Sequence, residues 1–164
     1  MTTTISLFRI ASDTARYHAD DLSGLGAKNE GGRWNTPGVA VCYASTTRAL
    51  AALETLVHLT PGLLLPLNRI LVEITVPRDV WRAREIVDPL DPSTVGWNVS
   101  PPGLVSLRWG DKWVTDNRSC LAVVPSVVVP EESNVLLNPA HSHAASVTAR
   151  KVRVWTYDTR LAEG

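Results

Sequence analysis

Arg33 follows two glycines and precedes Trp34 and Asn35 in the stretch GGRWNTPGVAVCYAS, residues 31 to 45. A guanidinium offers donors in a planar fork suited to phosphate or carboxylate, and paired glycines let a backbone approach a ligand closely. An indole at the same place either packs or stacks. Tyr43 then adds a ring with a hydroxyl, and Glu54 a carboxylate. The stretch is built for contact, with a ligand or with the protein's own core. Each residue also has a plain structural explanation: a lone Arg is more often an ion-pair donor, a Trp a core residue, a Tyr the end of a strand.

The elements around these residues decide where they point. Val39 to Ala44 is an apolar run after Pro37-Gly38 and is expected to be a buried strand. Ser45 or Thr46 then caps a helix running to about Leu59 and stopped by Pro61. At roughly 100° per residue, Leu50, Leu53 and Val57 form its apolar stripe, and Glu54 lies about 40° from Leu50. A carboxylate at a core edge costs several kcal/mol unless it is paired, so a partner is expected, with Arg33 and Tyr43 the candidates. By periodicity alone such a Glu is more often a salt-bridged boundary residue than a catalyst.

Around that unit, Ser6 to Ile10 reads as a strand, Ala19 to Gly32 as a long loop and Leu67 to Val76 as a strand ending at Pro77. Pro89 to Pro102 is an irregular connection, and Gly103 to Asn117 a helix with Trp109 and Trp113 on one face. Cys120 to Val124, Val127 to Val129, Val135 to Leu137 and Val152 to Tyr157 are short β-rich runs. The fold class is therefore α+β, rich in strands.

The chain has 164 residues, 45% hydrophobic and 20% charged, which suits one globular domain over 1–164 that buries roughly two thirds of its unfolded surface. Lys plus Arg and Asp plus Glu are 16 each, so no positive excess is present to hold a polyanion, and direct nucleic-acid binding is disfavoured. The most apolar window, Leu56 to Val76, is broken by Pro61, Pro66, Asn68, Arg69 and Glu73, so no membrane span is expected. Cys42 and Cys120 lie in apolar runs and the start MTTTISLFRI has no basic-then-apolar pattern. Free buried thiols in a cytoplasmic protein are expected. His141 and His143 lack companion ligands, so no metal site is assigned. Some of the six tryptophans are expected to face a partner.

The motifs as a set resemble the RES domain, the toxin component of one group of bacterial toxin–antitoxin modules, named for its Arg, Glu and Ser. The resemblance runs through FRI with Arg9, DLSGLGAKNEGGRWNTPG, VCYAS, ALAALETLVHL, GDKW, VVPSVVVPEESNVLLNPAH and the terminal YDTRL, from Arg9 to Leu161. It implies an ADP-ribosyltransferase-like fold, two small mainly antiparallel sheets flanked by helices, gripping nicotinamide adenine dinucleotide (NAD) in a cleft. NAD is then a substrate, and no cofactor is implied. The functional residues it implies are Arg33, Tyr43 and Glu54, with either Ser126 of PSVVVP or Ser133 of EESN as the serine; Arg9 and Trp34 join the ligand-binding set.

The chemistry implied is cleavage of NAD at the nicotinamide–ribose bond, which depletes the cell of NAD and arrests growth. The alternatives are transfer of ADP-ribose to a protein, and a non-catalytic ligand-binding domain. Nicotinamide leaves neutral from a cationic ring and needs no general acid, so one carboxylate suffices where ordinary glycosidases use two. Glu54 would stabilise the oxocarbenium-like ribosyl cation and hold ribose hydroxyls. Arg33 would take a diphosphate oxygen or the nicotinamide end, Tyr43 would stack and orient, and Ser126 would supply a short donor and acceptor. The implied partners are a helix-turn-helix (Xre-type) antitoxin that blocks the cleft and itself contacts DNA, and a second copy of the toxin in a homodimer within the complex.

Overall fold

The computed structural model describes residues 3–60, 62 and 64–161. Seven strands, β1 (Thr4–Ser12), β2 (Cys42–Ser45), β3 (Arg69–Pro77), β4 (Glu85–Ile86), β5 (Leu121–Pro125), β6 (Ser133–Leu137) and β7 (Thr148–Trp155), lie in the order β4-β5-β6-β2-β1-β3-β7. All neighbours are antiparallel except β4 and β5. The α-helices among the described residues are α1 (Leu25–Glu30), α2 (Arg48–Leu56), α3 (Arg78–Arg82) and α4 (Leu104–Thr115).

The two sheets expected are joined into one, but only just. β1 pairs with β3 from Thr4↔Pro77 to Ser12↔Arg69, and β2 pairs with β6 along its whole length, whereas β1 meets β2 only at Phe8↔Ser45. The junction is a seam, with a three-stranded half on one side and a four-stranded half on the other.

The two faces of the sheet are packed differently. Successive side chains of a strand point to opposite faces, and β6 shows this directly: Val135 and Leu137 enter one core with Leu7, Cys42, Val72 and Ile74, while Leu136 enters another. The first core is continuous across the seam and is covered by Val80 of α3. The opposite face carries two separate cores. Trp34, Val41, Trp97, Trp113, Ala122 and Val124 pack over the four-stranded half, and Phe8, Ile10, Leu71 and Ala51 over the three-stranded half. Between them, over the seam, the face is open.

Several expected elements are corrected. The segment from Ala19 to Gly32 contains α1, which buries no residue and so leaves no apolar stripe to read. Gly24 precedes it at φ 70°, where a Cβ would lie 2.8 Å from the Val41 backbone. The cap of α2 is Thr47, whose Oγ1 accepts from the Leu50 N–H at 3.1 Å. Ser45 and Thr46 are occupied elsewhere, by Asn134 and by the Ser133 carbonyl. α2 ends at Leu56, and the stop assigned to Pro61 lies outside the described residues. Val127 to Val129 is no strand, because the Ser126 hydroxyl accepts from the N–H groups of Val128 and Val129, both at 3.0 Å, and bends the backbone. α3 starts directly after Pro77, and β7 begins at Thr148 rather than Val152. Trp34, Trp97 and Trp113 are buried, and Trp81, Trp109 and Trp155 are half-buried. Trp34 stacks on Trp97 at 6.2 Å and meets Trp109 edge-on at 5.6 Å, while Trp109 stacks on Trp113 at 6.2 Å. Cys42 and Cys120 are free and buried.

Helix α4 approaches the Arg33 loop so closely that a Cβ on Gly110 would lie 1.7 Å from the Trp34 carbonyl oxygen. Gly110→Ala must therefore displace α4 or the loop, and we expect a loss of about 3 kcal/mol. Gly26→Ala is the control: nothing lies within 4 Å of its Cβ, and removing a helical glycine gains roughly 0.5–1 kcal/mol. Urea denaturation of both variants checks the contrast.

Candidate functional site

The open stretch over the seam is a cavity of about 1100 Å³, just above the roughly 300–1,000 Å³ typical of small-molecule sites. β1 and β2 form its floor, α2 one wall, and the Gly31–Trp34 loop with Pro125–Val128 the other. Arg33 and Glu54 both line it.

Glu54 is held from one side. Ser126 Oγ donates to its Oε1 at 2.7 Å and Asn134 Nδ2 donates to the same oxygen at 2.6 Å. Its Oε2 accepts no hydrogen bond among the described residues. A hydroxyl has one donor and two acceptor positions. With both lone pairs of Ser126 taken by the Val128 and Val129 amides, its proton is directed at Glu54. Ser126 is fully buried, so it serves as a bracket for the carboxylate. The rival, Ser133, meets Thr46 through its carbonyl and makes no side-chain hydrogen bond to Glu54.

The expected direct partners of Glu54, Arg33 and Tyr43, are corrected. Arg33 Nη1 donates to the carbonyls of Trp97 at 3.1 Å and Val99 at 2.8 Å, which draws it toward the 89–102 connection. Glu54 reaches it only through the field: burial lowers the Arg33 pKa, while Glu54 and then Tyr43 oppose that shift. No carboxylate forms an ion pair with Arg33 among the described residues, so the cation lines the cavity un-neutralised. Tyr43 Oη accepts from the Trp34 N–H at 3.0 Å and donates to Asn35 Oδ1 at 2.7 Å. The hydroxyl is spent on the loop, and the ring is what Tyr43 has left for the cavity it lines. Burial pushes its pKa well above the ordinary tyrosine value.

Arg9 lines the cavity from β1, with Nη1 donating to the Asp21 carbonyl and to Cys42 Sγ, each at 3.1 Å. Trp34 touches the same cavity, but its indole is 2% exposed between Trp97 and Trp109, so its structural role prevails. His141 and His143 pack edge-to-face away from this site, and no group of three or more His, Cys, Asp or Glu side chains suited to a metal ion occurs among the described residues. Nor, among them, is any helix long and apolar enough to cross a membrane.

Three residues of the site went unassigned in the sequence. Asn134 holds Glu54. Asn35, fully buried, donates Nδ2 to the carbonyls of Ala27 at 2.8 Å and Val39 at 2.9 Å and so closes the Arg33 loop. Asp111 clamps that loop to α4, accepting from Thr36 N at 2.9 Å and Thr36 Oγ1 at 2.8 Å. The available signals were an amide entering an apolar strand in SNVLL and an acid beside Gly110 in GDKW.

Comparison with known proteins gives these features a context. The RES domain model matches residues 6–160. The "Prs ADP-ribosylating toxin" of Sphingobium sp. (strain YBL2) is 54% identical over 158 residues, 96% of this chain and 97% of that one. A protein named "Toxin Res" from Photorhabdus laumondii is 37% identical over 127 residues, 76% of this chain and 77% of that one. Another of that name from Yersinia enterocolitica is 33% identical over 157 residues, covering 94% and 98%. Among solved structures, a chain of the M. tuberculosis MbcT–MbcA toxin–antitoxin complex superposes with TM-score 0.57, covering 91% of this chain and 84% of that one. At 14% identity that likeness bears on the fold alone.

Tyr43→Phe keeps the ring and removes the link, leaving Asn35 Oδ1 and the Trp34 N–H without this partner. A loss of about 1–3 kcal/mol is expected. The pH dependence has a definite sign. An unfolded tyrosine ionises near pH 10 and native Tyr43 only above that, so the unfolded chain releases its proton first and stability falls as pH climbs past about 10. Tyr43→Phe should flatten that alkaline decline, read from urea midpoints between pH 8 and 11.

Proposed function

The chain belongs to the RES-domain family, on a match spanning residues 6–160, and from that premise we propose that it is the toxin of a toxin–antitoxin module that consumes NAD. The observation that carries the reading is the Glu54 carboxylate, bracketed at Oε1 and open at Oε2, in the same cavity as the un-neutralised Arg33. An anion held rigid against a hollow suits the stabilisation of a developing cation. A guanidinium suits the diphosphate of a dinucleotide.

In this reading the nicotinamide–ribose bond breaks with its electron pair going to the ring nitrogen. The departing base is neutral, and the ribosyl carbon is left cationic beside Glu54 Oε2. An acceptor then donates a lone pair to that carbon and loses its proton. Tyr43 gives a flat ring face for the nicotinamide, and Ser126 acts through Glu54, since its own lone pairs are occupied. Transfer to a protein acceptor is favoured by the 54% identical relative named as an ADP-ribosylating toxin. Water or phosphate as acceptor is the second reading, supported by the cavity left open over the seam; water yields free ADP-ribose, phosphate yields ADP-ribose phosphorylated at the ribosyl carbon, and both deplete NAD.

Either outcome would harm the host, which is why an antitoxin partner belongs to the proposal. The structural neighbour comes from a toxin–antitoxin complex. A helix-turn-helix protein of Xre type covering the cavity is the partner proposed, acting in the cytoplasm on a homodimer of the toxin.

Purified protein mixed with labelled NAD, with and without host lysate, tests the proposal. Nicotinamide release is expected, and Glu54→Gln should reduce it by about 10²–10³-fold while remaining folded. Label on a lysate protein identifies transfer, and free ADP-ribose identifies hydrolysis. Intact NAD in every arm sinks the enzymatic reading.

A further inference from the structure

We infer that Asn134 is a positioning residue of the reaction, fixing which oxygen of Glu54 faces the substrate. The inference rests on the reading of Glu54 as the anion beside the ribosyl carbon.

Asn134 sits on β6 between two neighbouring strands, opposite Ser45 of β2 and Val124 of β5, and lines the cavity. Its backbone is therefore fixed from both sides. The side chain is fixed as well. The hydroxyl of Ser45, itself 3% exposed, donates to Asn134 Oδ1 at 2.7 Å, and Nδ2 donates to Glu54 Oε1 at 2.6 Å. An amide has an acceptor end and a donor end. A carboxylate can only accept, so the NH₂ turns toward Glu54 and the acceptor end is left to the Ser45 hydroxyl. A flipped amide would set its carbonyl oxygen against the carboxylate and lose the Glu54 contact.

Two donors on one carboxylate oxygen do more than one. The Ser126 hydroxyl fixes a single direction, about which the carboxylate can still swing, whereas a second donor from another strand locks the plane. The lock leaves Oε2 toward the open side. Ser45 is also the residue through which β2 meets β1, at Phe8. The orientation of Glu54 is thus referenced to the seam that forms the cavity floor.

Nicotinamide release in the presence of host lysate, measured against NAD concentration and pH, tests this for Asn134→Ala, Asn134→Asp, Ser45→Ala and Glu54→Gln, with urea denaturation of each variant. Asn134→Ala should lower kcat about 10–100-fold with KM unchanged within about threefold, because orientation and not ground-state binding is removed. Asn134→Asp should work only while the new acid is protonated and able to donate. The like charge of Glu54 raises the pKa of the pair, so activity should decline toward alkaline pH along a limb that wild type lacks. Ser45→Ala, which removes a bond to Asn134 and none to Glu54, should give a smaller fall confined to kcat. Wild-type kcat in folded Asn134→Ala, a loss lying wholly in KM, or an unchanged pH profile in Asn134→Asp overturns the inference. Should Asn134→Ala not fold, the Asp profile and the Ser45 variant decide by the same criteria. Activity retained by Glu54→Gln would instead overturn the reading beneath it.

Discussion

Strands β1 and β2 meet at one residue pair, Phe8 with Ser45, and the form of the site follows from that constraint. A regular ladder along both strands would carry one continuous face. Because the strands part, the face above them holds two cores, one around Trp34, Trp97 and Trp113 and one around Phe8, Ile10 and Ala51. The space between is too wide for either to fill, and it is the cavity. The other face stays continuous, with Leu7, Cys42, Val72 and Val135 in one cluster, so the halves stay joined although their ladder is nearly broken. Hydrophobic burial on one side thus offsets hydrogen bonds forgone on the other.

The charges in the cavity follow the same division. Arg33 stands on the tryptophan side, held by two backbone carbonyls, and Glu54 stands on α2. Each is anchored by neutral groups of its own half. A direct ion pair would have neutralised both and closed the hollow. Backbone carbonyls hold Arg33 in place, and hydroxyl and amide donors do the same for Glu54. Separated charges of opposite sign across an open space suit a ligand that is anionic in one part and cationic in another, as NAD is at its diphosphate and its nicotinamide.

What could be read in the sequence divides along physical lines. Strands and helices with apolar periodicity were legible in part: β3 ends at Pro77 and α4 carries Trp109 and Trp113 on one face. Of the stripe expected on α2, however, only Leu50 is buried, beside Ala51, while Leu53 and Val57 are exposed, and Glu54 lies on the inward side between Leu50 and Ala51. Elements without a buried stripe were silent, as with α1, which buries nothing. Side-chain competition for backbone groups misled in two places. Val127 to Val129 has strand composition, yet Ser126 takes its amides; Ser45 and Thr46 are good caps, yet both are spent across the sheet. Of the residues drawn from the family resemblance, Arg33, Tyr43 and Glu54 meet at one cavity, and Ser126, one of two candidate serines, bonds to Glu54 behind it. Their division of labour was not legible, because periodicity does not tell that Tyr43 spends its hydroxyl on the loop or that Asn134 rather than Arg33 holds the carboxylate.

The Arg33 loop shows why so many polar groups are buried around one cation. Gly31 lies at φ 78° and Gly32 leaves no room for a Cβ, since one would sit 2.7 Å from the Tyr43 hydroxyl. Such a loop has more backbone freedom to lose than most. It is fixed by groups from three directions: Tyr43 from β2, Asp111 from α4, and Asn35, a loop residue that reaches Ala27 of α1. Each of these bonds is partly buried, and leaving a buried partner unmet costs more than making the bond gains. The loop therefore tends to keep all of them or to lose them together. That all-or-none character turns a glycine-rich segment into a fixed platform, so Arg33 presents its charge without ordering the backbone when a ligand arrives.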